Sequence, residues 1–320
     1  WVLETDRNEK ASSRYCVFAT GCLSSSNVPK FEGYETFKGL SYHTGRWPHE
    51  GVNFSGLRVG VIGTGSSAIQ SIPEIAKEAN QLTVFQRTAN YTIPARNSEL
   101  TEDYVSSIKA DYPGLRERAR NKPAGYDIPL NSQSVLEVSR EDANIEFQRR
   151  WELGGTQFLG AYGDLLLNPD ANEFAADFVK RKIREIVSDP EIAELLCPPN
   201  IIGCKRLCVD TDYYATYNRN NVQLVDVSSK PIDGITPNGI LHGAKEYEFD
   251  AIVFATGFDA MTGALANIKI VGKGGSLLSE KWQDGPQTYL GLTSSGFPNM
   301  FMITGPGSPS VLTNMLPSIE

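Results

Sequence analysis

The 320-residue chain has no apolar run approaching the roughly 20 residues that a membrane-spanning helix needs. The nearest stretch, Ala251–Ala255, has the length of a buried strand. Basic stretches are also missing. Acidic residues outnumber basic ones 38 to 30, and the net charge of −8 offers no general attraction to nucleic acid or an anionic membrane. Cysteine is sparse and odd in number, with Cys16, Cys22, Cys197, Cys204 and Cys208 and no C-x-x-C pair. That usage excludes a disulfide framework and a dithiol redox centre, and it fits a reducing cytoplasm. Cys204 and Cys208 could share one face of a helix, but no histidine or carboxylate stands at ligand spacing, so no metal site is expected. Only three histidines occur, of which His49 and His242 match no motif and read as surface residues. There is no repeat of solenoid period. The first residue is Trp1, no signal-peptide pattern follows it, and Leu316–Glu320 reads as an opening helical turn, so a fragment of a longer chain is expected.

What is present is an ordinary globular composition, 40% hydrophobic and 21% charged, with 29 glycines that suit a fold of many tight turns. The length suits two domains. A short apolar run at 14–21 predicts a strand, and the Ser-, Pro-, Asn- and Gly-rich stretch 24–56 predicts a loop. Leu57-Arg58-Val59-Gly60-Val61-Ile62 is a parallel-sheet type of strand. It leads into Gly63-Thr64-Gly65-Ser66-Ser67-Ala68, after which Ile69, Ile72, Ile75 and Ala76 recur at helical spacing. Leu82-Thr83-Val84-Phe85 completes one βαβ unit. Between about 98 and 197 charged and apolar residues mix at helical period, most clearly from Glu173 to Val187, which predicts a helical insertion. Strand character returns at 221–225, at 251–255 and at 300–304, the last running into Gly305-Pro306-Gly307. An order of strands, helical insert and strands again implies domains that the chain leaves and re-enters.

The glycine turn carries the first chemistry. Gly63 permits a tight turn, Gly65 lets the backbone approach a pyrophosphate, and Ala68 allows close packing of helix on strand. The helix N-terminus behind them offers amide donors and a positive dipole end. Thr64, Ser66 and Ser67 complete the loop. At the end of the second strand, where an NAD site usually has an acidic residue for the ribose, this chain has Gln86-Arg87-Thr88. A guanidinium and a hydroxyl suit a 2′-phosphate, which points to NADP(H). Val17-Phe18-Ala19-Thr20-Gly21 and Val253-Phe254-Ala255-Thr256-Gly257 share one pattern, a strand ending in Ala-Thr-Gly. Bracketing a dinucleotide fold, the two resemble the inter-domain crossings of flavoenzymes that bind two dinucleotides.

Phe37-x-Gly39-x-x-x-His43-x-x-x-Trp47-Pro48 resembles the fingerprint of the Baeyer–Villiger monooxygenases, with every defined position present. The resemblance covers essentially the whole chain. It implies an α/β, Rossmann-like, two-dinucleotide flavoprotein with a helical insertion and an incomplete FAD domain. It divides the chain into 1–20 and 256–320 of the FAD-binding domain, 21–92 and 204–255 of the NADP-binding domain, and an insertion at 93–203. In the Lys205-Arg206 pair, which alone would read as a solvated turn, it makes Arg206 the catalytic residue and sets Lys205 beside Arg87 on the 2′-phosphate. It makes His43 a residue that couples domain movements. It puts Ser310, Val311 and Met315 on the substrate pocket, Met315 reading equally well as plain core. It points the N-terminus of a helix beginning near Val311 at the flavin. The implied activity uses NADPH, FAD and O2 to insert one oxygen atom beside a ketone carbonyl, without nucleic acid or membrane partners. The Gly-x-Gly-x-x-Gly of an FAD site is absent from these residues. Three alternatives stay open: oxygenation of nitrogen or sulfur atoms, an NADPH-dependent flavin reductase, and an NADP-binding module without turnover.

Overall fold

Extended chain throws successive side chains to opposite faces, and the strands around the glycine turn use both. In the computed structural model, which describes residues 1–308 and 313–319, the relevant elements are β1 (Leu40–His43), β2 (Arg58–Ile62), α1 (Ser66–Glu78) and β3 (Gln81–Gln86). Then come β4 (Thr92–Pro94), α2 (Glu102–Ala110), α3 (Arg140–Leu153), α4 (Pro169–Ile186), α5 (Pro190–Leu196), β5 (Cys208–Asp210) and α6 (Tyr213–Thr216). Strands β6 (Val222–Asp226), β7 (Gly234–Thr236), β8 (Gly239–His242), β9 (Lys245–Glu248) and β10 (Ala251–Phe254) follow. The order β1-β10-β2-β3-β6 makes one parallel sheet. Val59, Val61, Leu82, Val84, Ala251 and Val253 face one side, and Ile62, Phe85, Ile252 and Phe254 the other. Parallel sheets are stable when both faces are covered, and here both are.

Helix α1 covers the first face with Ala68, Ile69, Ile72, Ile75 and Ala76, all buried as their spacing predicts. The insertion continues the same core: Phe147 of α3, Phe158 and Phe178 of α4 meet with ring centroids 5.4–5.8 Å apart and share one apolar cluster with Val59 and Ile69. The antiparallel sheet β7-β8-β9 and Phe249 cover the second face. Gly60 is what admits Phe249, whose ring lies 2.9 Å from where a Cβ would stand.

These elements belong to a unit of Val28–Ala110 and Ile128–Gly257. The second unit comprises Trp1–Asn27, Asp111–Asp127 and Phe258–Glu320. There the strands Cys16–Phe18 and Met300–Met302 pair in parallel over a core of Leu265, Ile270, Leu278, Trp282, Phe297, Met300 and Met302. The chain thus changes unit after residues 27 and 257, and part of the insertion, 111–127, belongs to the second unit. The stretch 24–56, expected as loop, contains strand β1. Its Leu-Ser-Tyr-His sequence alternates apolar and polar residues over only four positions, too few to mark a strand, and it pairs along its whole length with the edge of β10. Cys204 and Cys208 do not share a helix: Cys204 is exposed in a turn and Cys208 is buried at the start of β5. Among the described residues no helix is long and apolar enough to cross a membrane, and no cluster of His, Cys, Asp or Glu could hold a metal ion.

A shared core predicts shared stability. Phe147→Ala empties a fully buried ring site and should cost about 3–5 kcal/mol. Amide exchange should then rise together in α3 and in β3; a rise confined to α3 would show that insertion and sheet unfold separately.

Candidate functional site

The carboxyl ends of the parallel strands are where an open α/β sheet binds ligands. Here β1 ends at His43, β2 at Ile62, β3 at Gln86 and β10 at Phe254, with His43, Ile62 and Phe254 in register. Gly63 follows with φ +110, and a Cβ on it would stand 2.5 Å from the Ala255 carbonyl oxygen. Only glycine satisfies both conditions. Gly65 is different. Its backbone is extended, it is exposed, and a Cβ would meet no protein atom within 4 Å. Nothing in the protein requires glycine there, so the open space is available to a ligand. No side chain caps α1 at Gly65, leaving its first-turn amides directed at that space. Ala68 is fully buried against the sheet.

The remaining loop residues divide by role. The Thr64 side chain is buried, and its hydroxyl donates to the Thr88 carbonyl at 2.8 Å, tying the glycine turn to the segment after β3. Ser66 is exposed at the first turn of α1, close enough to act on the Cys208 thiol, which donates to the Arg206 carbonyl at 3.6 Å. Burial pushes that thiol up, and Ser66 and the nearby Arg206 pull partly against it. Cys208 therefore stays a thiol. It also marks the place where the Lys205-Arg206 turn lies beside the start of α1. Ser67 lines a cleft of about 490 Å3 along α1 with Thr44, Trp47 and Phe54.

Arg87, Lys205 and Arg206 are exposed, and their side chains form no hydrogen bond or ion pair among the described residues. Other arginines of this unit do. Arg150, 3% exposed, donates to Glu146 and to the carbonyls of Pro129 and Gln157, and Arg58 pairs with Asp250 and Glu248.

Behind the Lys205-Arg206 turn, β5 pairs with β4, Thr92 opposite Cys208. Asp210 ends β5, buried, accepting from the Thr92 hydroxyl and, at 2.9 Å, from the Tyr213 amide. Tyr213, Tyr214 and Tyr217 close over it, the hydroxyls of Tyr213 and Tyr217 3.0 Å apart. Burial pushes the Asp210 carboxyl up against the pull of those two hydrogen bonds.

The fingerprint residues build β1 and its flanks. The Phe37 ring lies 2.5 Å from where a Gly39 Cβ would be, and Phe37 packs on the core of the second face. Trp47 packs on the first, with ring centroids 5.7 Å from Tyr42 and 6.1 Å from Phe54; Pro48 follows, half-buried. His43 is buried, its Nδ1 accepting from the Gly45 amide at 2.9 Å and its Nε2 3.4 Å from the Thr256 hydroxyl. That Nδ1 contact makes Nε2 the protonated nitrogen of the neutral ring. Met315 is half-buried at the start of the helix Met315–Ile319. Ser310 and Val311 lie outside the described residues, and so does the start of the helix expected near Val311.

A glycine turn feeding an uncapped helix at the edge of a covered parallel sheet is the arrangement of the α/β folds that bind dinucleotides. No family model matches the chain. It is 41% identical over 323 residues to a Baeyer–Villiger monooxygenase of Pseudooceanicola batsensis, covering all of this chain and 58% of that protein. It is also 41% identical to a phenazine N-monooxygenase of Lysobacter antibioticus, covering all of this chain and 59% of that one. A solved steroid monooxygenase bound to NADP matches with TM-score 0.91 at 51% identity, over 99% of this chain and 61% of its own. A structure of a second monooxygenase with FAD and NADP matches with TM-score 0.94 at 40% identity, over 98% and 59%. Over essentially its whole length the chain is homologous to the Baeyer–Villiger monooxygenases, and its fold is that of these FAD- and NADP-binding flavoproteins. It spans about three-fifths of the length of the curated relatives it matches.

The Asp210 carboxyl gives a pH signature. Because its neutral form is favoured in the fold, it contributes stability below the ordinary aspartate range, and that contribution is lost as pH rises through the raised value. Asp210→Asn cannot titrate. Its stability deficit relative to wild type should be largest near pH ~4 and shrink toward pH ~7. Urea unfolding at both values measures this, and a deficit constant with pH would show that Asp210 titrates normally.

Proposed function

We propose that the protein carrying this chain is an NADPH- and FAD-dependent monooxygenase. It converts a ketone, O2 and NADPH with a proton into an ester or lactone, NADP+ and water. The observation that carries the nicotinamide half is Gly65, whose glycine identity the protein's own packing does not require, above an uncapped helix start. Gly63, Thr64, Gly65, Ser66, Ser67 and Ala68 form the cradle. The backbone amides hold the pyrophosphate, Thr64 works through Thr88, and Arg87 with Lys205 takes the 2′-phosphate. The unit containing these residues is assigned to NADP(H), and residues 1–20 and 256–320 to the FAD-binding part.

Residues of the second unit fit a flavin in one respect. After Gly305-Pro306-Gly307, the Ser308 hydroxyl is buried without a hydrogen-bond partner among the described residues. When bound, the flavin supplies the activation of oxygen. The chain's own part in the chemistry is the Arg206 guanidinium, a cation that stays charged at any working pH and stabilises negative charge developing on the substrate oxygen. Arg87 and Lys205 would retain NADP+ after its oxidation, and the occupied site would exclude water from the reacting atoms. Ser310, Val311 and Met315 are assigned to the ketone pocket, and His43 to the coupling of domain movement through Thr256.

The equal identity to a phenazine N-monooxygenase favours one second reading, oxygenation of a nitrogen atom. Supplying a ketone and an aromatic N-heterocycle in parallel and identifying the products separates the two. In the complete enzyme Arg206→Ala should leave NADPH oxidation measurable and abolish ester formation; an undiminished ester yield removes the assignment. Arg87→Ala should weaken NADP+ binding about tenfold or more while NAD+ binding holds, as read by titration calorimetry. Equal losses for both would take Arg87 off the 2′-phosphate.

A further inference from the structure

The exposed pair Lys205-Arg206 sits on a short span, residues 203–207, that is anchored by buried polar groups at both ends. At the downstream end the anchor is Asp210 with Thr92 and Tyr213. At the upstream end it is a residue of the helical insertion. Asn172, in the second turn of α4, is 4% exposed and uses both ends of its amide. Its Nδ2 donates to the carbonyls of Leu165 and Ile202, each at 2.8 Å, and its Oδ1 accepts from the Ile202 amide at 3.1 Å. Ile202 is fully buried. The next residue, Gly203, has φ +88, with Leu166 packed 2.5 Å from where a Cβ would be. A side-chain amide that replaces both hydrogen bonds of one backbone residue fixes the direction in which the chain leaves it. From Ile202 that direction delivers Lys205 and Arg206 to solvent beside the start of α1.

We infer that Asn172 is a positioning residue for the Lys205-Arg206 pair, so that the helical insertion sets how well the site discriminates NADP(H) from NAD(H). The inference rests on the nicotinamide reading above and deepens it. A long, exposed lysine gains little from a charged ligand unless its backbone is held in place. Removing the clamp leaves the cation and its charge intact but spreads it over many positions. The loss therefore falls on the 2′-phosphate and not on the pyrophosphate, which the α1 amides hold independently.

The readout is the ratio of NADP+ to NAD+ affinity, which a general loss of stability leaves unchanged. Asn172→Ala should lower the ratio about fivefold to tenfold, in line with the weakening of one charge-assisted hydrogen bond. Phe178→Leu, a substitution in the neighbouring core, should lower the melting temperature and keep the ratio. In a Lys205→Ala background, Asn172→Ala should change the ratio no further, because both act through one contact. An unchanged ratio in Asn172→Ala, or additive effects with Lys205→Ala, overturns the inference. Asn172→Ser, whose hydroxyl cannot reach both groups of Ile202, serves where the alanine variant does not fold, and an unchanged ratio there counts equally against it. Absence of any NADP+ preference in the wild-type chain would instead remove the nicotinamide reading itself.

Discussion

At Gly63 the backbone turns with φ +110 while the Ala255 carbonyl occupies the position a side chain would need. This close approach joins the end of β2 to the end of β10, two strands far apart in sequence and adjacent in the sheet. Much of the site follows from it. Helix α1 starts where the strand stops, so its amides point past the sheet edge. Thr64, one residue on, reaches the Thr88 carbonyl and sets the segment that carries Arg87. Ser66 lies near Cys208, whose thiol donates to the carbonyl of Arg206. A residue with a Cβ at 63 would have to part β10 from β2, and the three cationic positions would lose their common reference.

Under the proposed reading the three cations await a ligand. Buried or half-buried arginines elsewhere in this unit are provided with carboxylates or carbonyls, as Arg150 and Arg58 show. Arg87, Lys205 and Arg206 have no such partners among the described residues, although the segments bearing them are tightly held by Thr64, Asn172 and Asp210. Ordering a backbone while leaving its charged side chains unpaired opposes the usual economy of surface cations, which gain little from fixed positions. An anion that arrives later reconciles the two, because preorganised charge then binds without the cost of ordering it.

Much of this was legible in the residues. Short apolar runs and helical spacing located β2, α1 and β3, and the Gly63–Ala68 loop announced the sheet edge. What stayed hidden depended on tertiary partners. Strand β1 alternates over only four residues, too short a pattern to stand out, and is defined by its pairing with β10. The glycine pattern places Thr64 in the ligand loop, and only the fold shows that its hydroxyl also ties that loop to Thr88. Asn172 and Asp210 lie 34 residues before and four residues after Arg206 in sequence, and no local pattern marks them as anchors. The pairing of Lys205 with Arg87 came from family resemblance, since two adjacent cations carry no positional information in themselves.

The fingerprint segment acquires a physical meaning that resemblance alone did not give it. Phe37 packs on the core of one face of the sheet and Trp47 on the core of the other, so the segment between them, which is the edge strand β1 with its flanks, is held from both faces. Gly39 lets the Phe37 ring lie close over the backbone, and the turn delivers His43 to the sheet edge beside Phe254. There its Nε2 faces Thr256, immediately before Gly257, where the chain leaves this unit. None of the five residues stands in the glycine cradle or on the Lys205-Arg206 turn. Their spacing fits the job of fixing an edge strand and the exit of the chain beside it, a mechanical role. That arrangement explains how the pattern can be so specific while the residues proposed for binding and charge stabilisation lie elsewhere: the glycine turn keeps its place only if the neighbouring strands end in register.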